Sequence, residues 1–228
     1  MKSYTIDPTV IGLEEFKELT AGRRMLPGRV ALHEQMEERF DILGGSGIKH
    51  LGDLLHILGS KSKIESFSAQ TGLPCDYLVL LKREAGSYLA RPFPLSNFPG
   101  IPFEYVELLK SKGILNTKNF FEQVQTEGHQ SDLASITGIP GYRLKELFSL
   151  CDLSRITGVG GIFARVVYEA GIRSTIEFAR TDIPTQLKGY LAVIEKHGYA
   201  AGHIGEEDIS YAINYASVLV TCDHKSDK

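Results

Sequence analysis

The sequence predicts an all-α chain in which tandem pairs of short helices are joined by glycine turns, with a helical extension before the repeats and a helical cap after them. Three observations predict it. Apolar residues return at helical spacing in short blocks. Glycine, alone or with proline, separates the blocks. The blocks themselves recur at fixed offsets, as stacked supersecondary units do. The expected division is an N-terminal extension with a partial repeat over residues 1–60, two fuller repeats over 61–180, and a helical cap with its tail over 181–228.

In chain order, Val10, Leu13, Phe16 and Leu19 form one apolar face of a first helix, with Glu14, Glu15 and Glu18 opposite. Arg23, Arg24 and Arg29 follow around the Pro27-Gly28 break. They read as basic residues complementing a helix C-terminus. A phosphate-binding loop is the other reading, although Glu34, Glu37 and Glu38 stand close enough to cancel its field. Next, Phe67, Thr71-Gly72-Leu73-Pro74, Tyr77, Leu78 and Leu81 reappear as Leu133, Thr137-Gly138-Ile139-Pro140, Arg143, Leu144 and Leu147, at a constant offset of 66. A second series runs from Leu95, Phe98 and Gly100 through Gly113-Ile114 to Phe120. It returns at an offset of 58 as Leu153, Ile156 and Gly158 through Gly171-Ile172 to Phe178. The fragment Phe40, Leu43, Gly47-Ile48, Leu51 and Leu54 matches the later half of that series.

Gly47-Ile48, Gly113-Ile114 and Gly171-Ile172 are expected as helix C-caps, the glycine left-handed and the isoleucine packing back. Asn116, and Ser174 with Glu177, are the N-caps that follow. Beyond Arg180 the repetition stops. Leu187, Leu191 and Ile194 predict an amphipathic helix ending at Lys196-His197-Gly198. Glu206, Glu207 and Asp208 open a last helix through Ile209, Ala212, Ile213, Ala216 and Leu219, which either caps the repeats or forms a dimer face. Residues 223–228 are expected to be disordered.

The stretch Asp152-Leu153-Ser154-Arg155-Ile156-Thr157-Gly158-Val159-Gly160-Gly161 resembles a helix-hairpin-helix motif, whose turn aims glycine amides and a helix N-terminus at a phosphate. Taken with Thr71-Gly72-Leu73-Pro74, Thr137-Gly138-Ile139-Pro140 and Ala170-Gly171-Ile172, it resembles the bacterial family catalogued as domain of unknown function 4332, over residues 67–180. That resemblance implies helix-hairpin-helix-like repeats and brings no established activity. Similarity to better-known helix-hairpin-helix proteins implies contact with a DNA or RNA backbone and, in some, a monovalent cation held by hairpin carbonyls. The nucleic-acid-binding residues expected here are Gly158, Gly160, Gly161, Arg155 and Arg165, with Arg143, Lys145 and Arg173 as further cations near the same face.

Comparison among the chain's own turns sharpens that expectation. A phosphate hairpin needs free backbone amides, and proline has none. Gly72-Leu73-Pro74, Gly100-Ile101-Pro102 and Gly138-Ile139-Pro140 carry proline where Gly160 stands, at a position that also suits the start of a helix. Those three read as packing elements, and the fourth turn alone keeps the donor geometry. Even there, Gly161, Ile162 and Phe163 occupy the places where nucleic-acid-binding hairpins carry Lys or Arg. Two or three neutralised phosphates would give a salt slope of about 2 to 3, hence weak binding. On this reading Arg165→Glu or Gly160→Pro weakens binding and leaves the fold intact.

Composition narrows the classes. The net charge is -3 and the pI about 6.2, whereas a dedicated nucleic-acid binder has a strongly basic face. Cys75, Cys151 and Cys222 are odd in number and far apart, as small buried thiols in a reducing compartment would be. No apolar leader or run of membrane-spanning length is present, so a soluble cytoplasmic protein is expected, with no membrane partner. No Walker loop, nucleophile elbow, zinc-ligand pair or carboxylate cluster appears, and neither cofactor nor metal is expected. His197 with His203, and Cys222 with His224, read as bystanders. A base-excision glycosylase places a catalytic carboxylate downstream of a Gly-Val-Gly hairpin. Asp182 stands near that place, but Thr181-Asp182-Ile183-Pro184 reads as an N-cap. The expected function is non-enzymatic, sequence-independent binding of a nucleic-acid backbone through the fourth hairpin. A protein-interaction or assembly scaffold, homo-oligomers included, is the alternative.

Overall fold

The computed structural model describes residues 2–22, 27–202 and 204–226, so Arg23 and Arg24 of the basic break and His203 lie outside the described residues. Among those described, the regular structure is helical and contains no strand. Two isolated antiparallel bridges join Gly12 to His50 and Pro94 to Asn116. The all-α expectation holds. None of the described helices is long and apolar enough to cross a membrane. The chain divides into two compact units, Ile6–Leu89 and Met1–Thr5 together with Ala90–Lys228. These divisions differ from breaks at 60 and 180: the first Gly-Leu-Pro turn stays with the N-terminal helices, and the C-terminal helices share a unit with the later turns.

The unit Ile6–Leu89 holds α1 (Leu13–Ala21), a 3-10 turn (Pro27–His33), α2 (Met36–Gly45), α3 (Leu51–Ile57), α4 (Lys61–Thr71) and α5 (Cys75–Gly86). Its first helix buries Phe16 and Thr20, not the predicted line through Val10, Leu13 and Leu19. Thr20 is admitted because its hydroxyl donates to Phe16 O at 2.7 Å. From the basic break, Arg29 pairs with the fully buried Glu84. That gives Arg29 an internal, structural task.

The second unit contains a 3-10 turn (Leu95–Asn97), α6 (Phe103–Ser111), α7 (Thr117–Gln123), α8 (Glu127–Thr137), α9 (Gly141–Leu153), α10 (Gly161–Glu169), α11 (Thr175–Phe178), α12 (Ile183–His197) and α13 (Glu206–Ser226). Hydrogen bonds recur at the sequence offsets. Gly47, Gly113 and Gly171 are left-handed, with φ of 85, 80 and 101°. The amides of Ile48, Ile114 and Ile172 reach back to Leu43, Leu109 and Val167 carbonyls, closing the expected caps. His50, Asn116 and Ser174 then accept from the amides of Asp53, Asn119 and Glu177 at 3.2, 2.9 and 3.2 Å. In return, the side chains of Asp53, Asn119 and Glu177 accept from the amides of Lys49, Leu115 and Arg173, so the capping box closes one residue before the cap. Thr71 and Thr137 also match: each donates to the carbonyl four residues back and accepts from the amide two residues on.

The C-terminal helices belong to this core. α13 packs on α11 and α12 and buries Ile209, Ala212, Ala216 and Leu219, together with Tyr215, Val218 and Cys222. It caps the unit, as one of the two readings required. The helix continues to Ser226, and Asp223 is buried, which corrects the expectation of disorder from 223 onward for the described residues. In α12 the buried residue is Tyr190, edge-on to Phe163 at 5.3 Å, while Leu191 is exposed. The helix packs against both α10 and α13. No disulfide joins Cys75, Cys151 and Cys222, and Cys75 is exposed instead of buried. Burial pushes the Cys151 thiol well above its usual range.

Candidate functional site

The fourth turn is built from the end of α9 and the start of α10. Ser154 caps α9, and the Arg155 and Ile156 amides bond back to Asp152 and Leu153. A bond from the Val159 amide to Ile156 O closes the reversal at 3.0 Å, with Gly158 at φ 88°. Gly160 is the N-cap of α10, in extended conformation and without a side-chain cap. The ladder of α10 begins with Ala164 donating to Gly160 O. Amides ahead of Ala164 therefore lack intrahelical acceptors, and Gly158 and Gly160 are exposed. At the other three turns Gly72, Gly100 and Gly138 are also left-handed, and Pro74, Pro102 and Pro140 are themselves the N-caps of α5, α6 and α9.

Gly161 has a packing task. A Cβ on it would collide with the Asn97 carbonyl oxygen, so only glycine lets α10 approach the 3-10 turn. This explains why the place after the second glycine holds no Lys or Arg. Both arginines expected at the phosphate are turned inward. Arg155 is 3% exposed. Its guanidinium bonds Asp152 Oδ1 at 2.9 Å, both Asp223 oxygens at 3.1 and 2.6 Å, Tyr4 O at 3.2 Å and Ser3 O at 3.0 Å. Arg165 is 2% exposed, donating from Nε to Pro99 O at 2.7 Å and from Nη1 to Glu146 and Glu169. Neither guanidinium faces solvent, so neither is placed to meet a phosphate at the turn.

The further cations have partners nearer the surface. Arg143 pairs with Glu146 at 2.8 Å, Lys145 with Glu127 at 3.0 Å, and Arg173 donates to Tyr168 O beneath that residue's ring. Burial acts to raise the Glu146 carboxyl, but the Arg165 and Arg143 guanidiniums hold it below its ordinary value of 4.5. A depressed carboxylate contributes stability above its unfolded value, and that contribution is lost as pH falls through the lower folded value. Thermal unfolding should therefore move to lower temperature below about pH 4.5. Glu146→Gln should flatten that acid limb, and an unchanged limb would show that the carboxylate is uncoupled from folding.

At the three later turns an apolar side chain is exposed at the start of the following helix, whereas at the first turn that place holds Asp76. Phe103 opens α6 at 71% exposure, Tyr142 is the second residue of α9 at 67%, and Ile162 the second of α10 at 38%. Sequence spacing gave no signal for Phe103 and Tyr142, because exposure at a helix start depends on what packs nearby. Asp182 caps α12, accepting from Thr185 N at 3.2 Å. Hydrogen bonds from the Thr185 hydroxyl and amide hold its carboxyl below the usual range. Among the described residues, no group of three His, Cys, Asp or Glu could hold a metal ion.

A family model described as a domain of unknown function (DUF4332) matches residues 99–213, from the turn before α6 into α13. Comparison with curated proteins and with solved structures finds no match. Since the family match spans just over half of the 228 residues and covers all the later turns, the chain belongs to the DUF4332 family.

Proposed function

We propose that this chain is a non-enzymatic interaction module whose turn tips dock a protein partner through apolar side chains. One observation carries the reading: Phe103, Tyr142 and Ile162 are exposed where a phosphate-binding hairpin needs Lys or Arg, while Arg155 and Arg165 are buried in ion pairs. Exposed aromatic side chains make large contacts with little loss of rotamer freedom. Phe103→Ser combined with Tyr142→Ser should leave circular dichroism and melting nearly unchanged. The same variant should weaken the complex the unmodified chain forms, with itself or with a stoichiometric protein, by at least about tenfold. Light scattering that finds an unmodified monomer with no protein partner counts against the proposal.

Binding of a DNA or RNA backbone at the fourth turn is the second reading, favoured by the exposed Gly158 and Gly160 and by the uncapped start of α10. It requires retardation of duplex or single-stranded nucleic acid in about 50 mM salt, with a shallow salt slope. Gly160→Pro, which removes one amide and keeps a backbone found at the other three turns, should abolish the shift.

A further inference from the structure

Residues 2–5 sit in the second unit although the whole of Ile6–Leu89 separates them from its remainder. They are held as a bound peptide is held by a receptor, bent at Tyr4 and Thr5, through side chains that read its backbone. Gln125 Oε1 accepts from Lys2 N at 2.7 Å, and its Nε2 donates to Lys2 O. Glu122 accepts from Tyr4 N at 3.0 Å and from the Ser3 hydroxyl at 3.3 Å. Arg155 donates to Ser3 O and Tyr4 O, Thr5 Oγ1 donates to Ala90 O at 3.1 Å, and Lys2 Nζ lies 3.4 Å from Asp223.

One side chain of this segment is engulfed. Tyr4 is 0% exposed, its ring 6.0 Å from Phe121 and its hydroxyl 3.0 Å from Ser154 Oγ, with Thr117 Oγ1 donating to it at 2.9 Å. Phenylalanine would fill the space but leave Ser154 and Thr117 facing an apolar edge, so the pocket selects tyrosine. The hydrogen-bond, ion-pair and ring partners of residues 2–5 named above all lie within residues 90–228, and the segment itself lies outside that span. An identical segment on a second copy has the same fit, which is the condition for exchange between protomers.

We propose that the groove lined by α7, Gln125, the end of α9 and α13 is a peptide-recognition site for a Lys-Ser-Tyr-Thr segment, filled by residues 2–5 of its own chain and exchangeable for the same segment of a second copy. This does not rest on the turn-tip reading, since the groove shares no residue with Phe103, Tyr142 or Ile162. Exchange is favoured at high protein concentration, because the segment's own copy competes at the effective concentration set by its tether.

The test uses the full chain with a protease site inserted between Thr5 and Ile6, cleaved after folding. A labelled peptide of residues 2–8 should bind the cleaved chain saturably in fluorescence anisotropy. The Tyr4→Phe peptide should bind about tenfold more weakly, and the Tyr4→Ala peptide should not bind. Uncleaved chain, its groove filled, should bind at least about a hundredfold more weakly than cleaved chain. A folded cleaved chain that ignores the peptide, or binds the Tyr4→Ala peptide equally well, overturns the proposal. If cleavage unfolds the chain, uncleaved Tyr4→Ala protein takes its place. Added peptide should then raise its melting temperature, and no rise overturns the proposal. For exchange, Tyr4→Ala chains mixed with Glu122→Ala/Gln125→Ala chains should form a one-to-one heterodimer by light scattering. Failure to do so refutes the second-copy occupant.

Discussion

Arg155→Met is expected to lower the unfolding free energy by about 3–5 kcal/mol, the range for breaking a buried ion pair from one side. The guanidinium is the shared cation of Asp152 and Asp223, each 8% exposed, and it also satisfies the Ser3 and Tyr4 carbonyls. Methionine roughly fills the stem but leaves two carboxylates facing each other in a dry site. Asp152 would keep the Thr175 amide at 2.8 Å, and Asp223 would keep the partly exposed Lys2. Denaturant unfolding measures the loss. Adding Asp223→Asn should recover part of it, because the second change removes the uncompensated charge, and the two effects will not sum. A loss under about 1 kcal/mol, the worth of a surface pair, would mean the cluster is solvated in solution.

Arg165→Glu is expected to unfold much of the protein, at a cost of at least about 4 kcal/mol against a total stability of about 5–15 kcal/mol. The sequence alone suggested a surface cation whose reversal would weaken phosphate binding and spare the fold. In the structure the substitution sets a third carboxylate beside Glu146 and Glu169 and leaves Pro99 O without its donor. Far-ultraviolet circular dichroism and a melting curve on the purified variant decide the matter. A native melt would place Arg165 at the surface and restore it as a candidate phosphate ligand. Binding assays on this variant are informative only after that control.

These two substitutions bear on function because they remove cations from the phosphate reading without removing its amides. Backbone donors at one uncapped helix start can orient an anion, but sequence-independent affinity grows with the number of phosphates neutralised by Lys and Arg. The turn tips spend their exposed positions on Phe103, Tyr142 and Ile162 instead. The apolar tips suit a protein partner, and the groove that seats Tyr4 adds a second recognition surface with its own chemistry.

The local devices were legible in the sequence because each depends on a few adjacent residues. Left-handed glycine at 47, 113 and 171, the caps at Asn116, Ser174 and Asp182, and the equivalence of Thr71 with Thr137 all follow from short-range sterics and hydrogen bonding. The family match could be anticipated for the same reason, since its turn motifs are contiguous. Where a long side chain points was not legible. Arg155 and Arg165 have the spacing of phosphate ligands, yet carboxylates contributed by α9, α10 and α13 draw them inward. Gly161 is written like a donor glycine, yet Asn97, distant in sequence, fixes its task. Asp223 looked like part of a polar tail until Arg155 supplied its counter-charge. Sequence by itself set the helices, their caps and their turns, because those are decided within one or two turns of chain. Tertiary structure alone decided which charges are buried and which apolar residues are left outside, because burial depends on partners that the chain brings together from far apart.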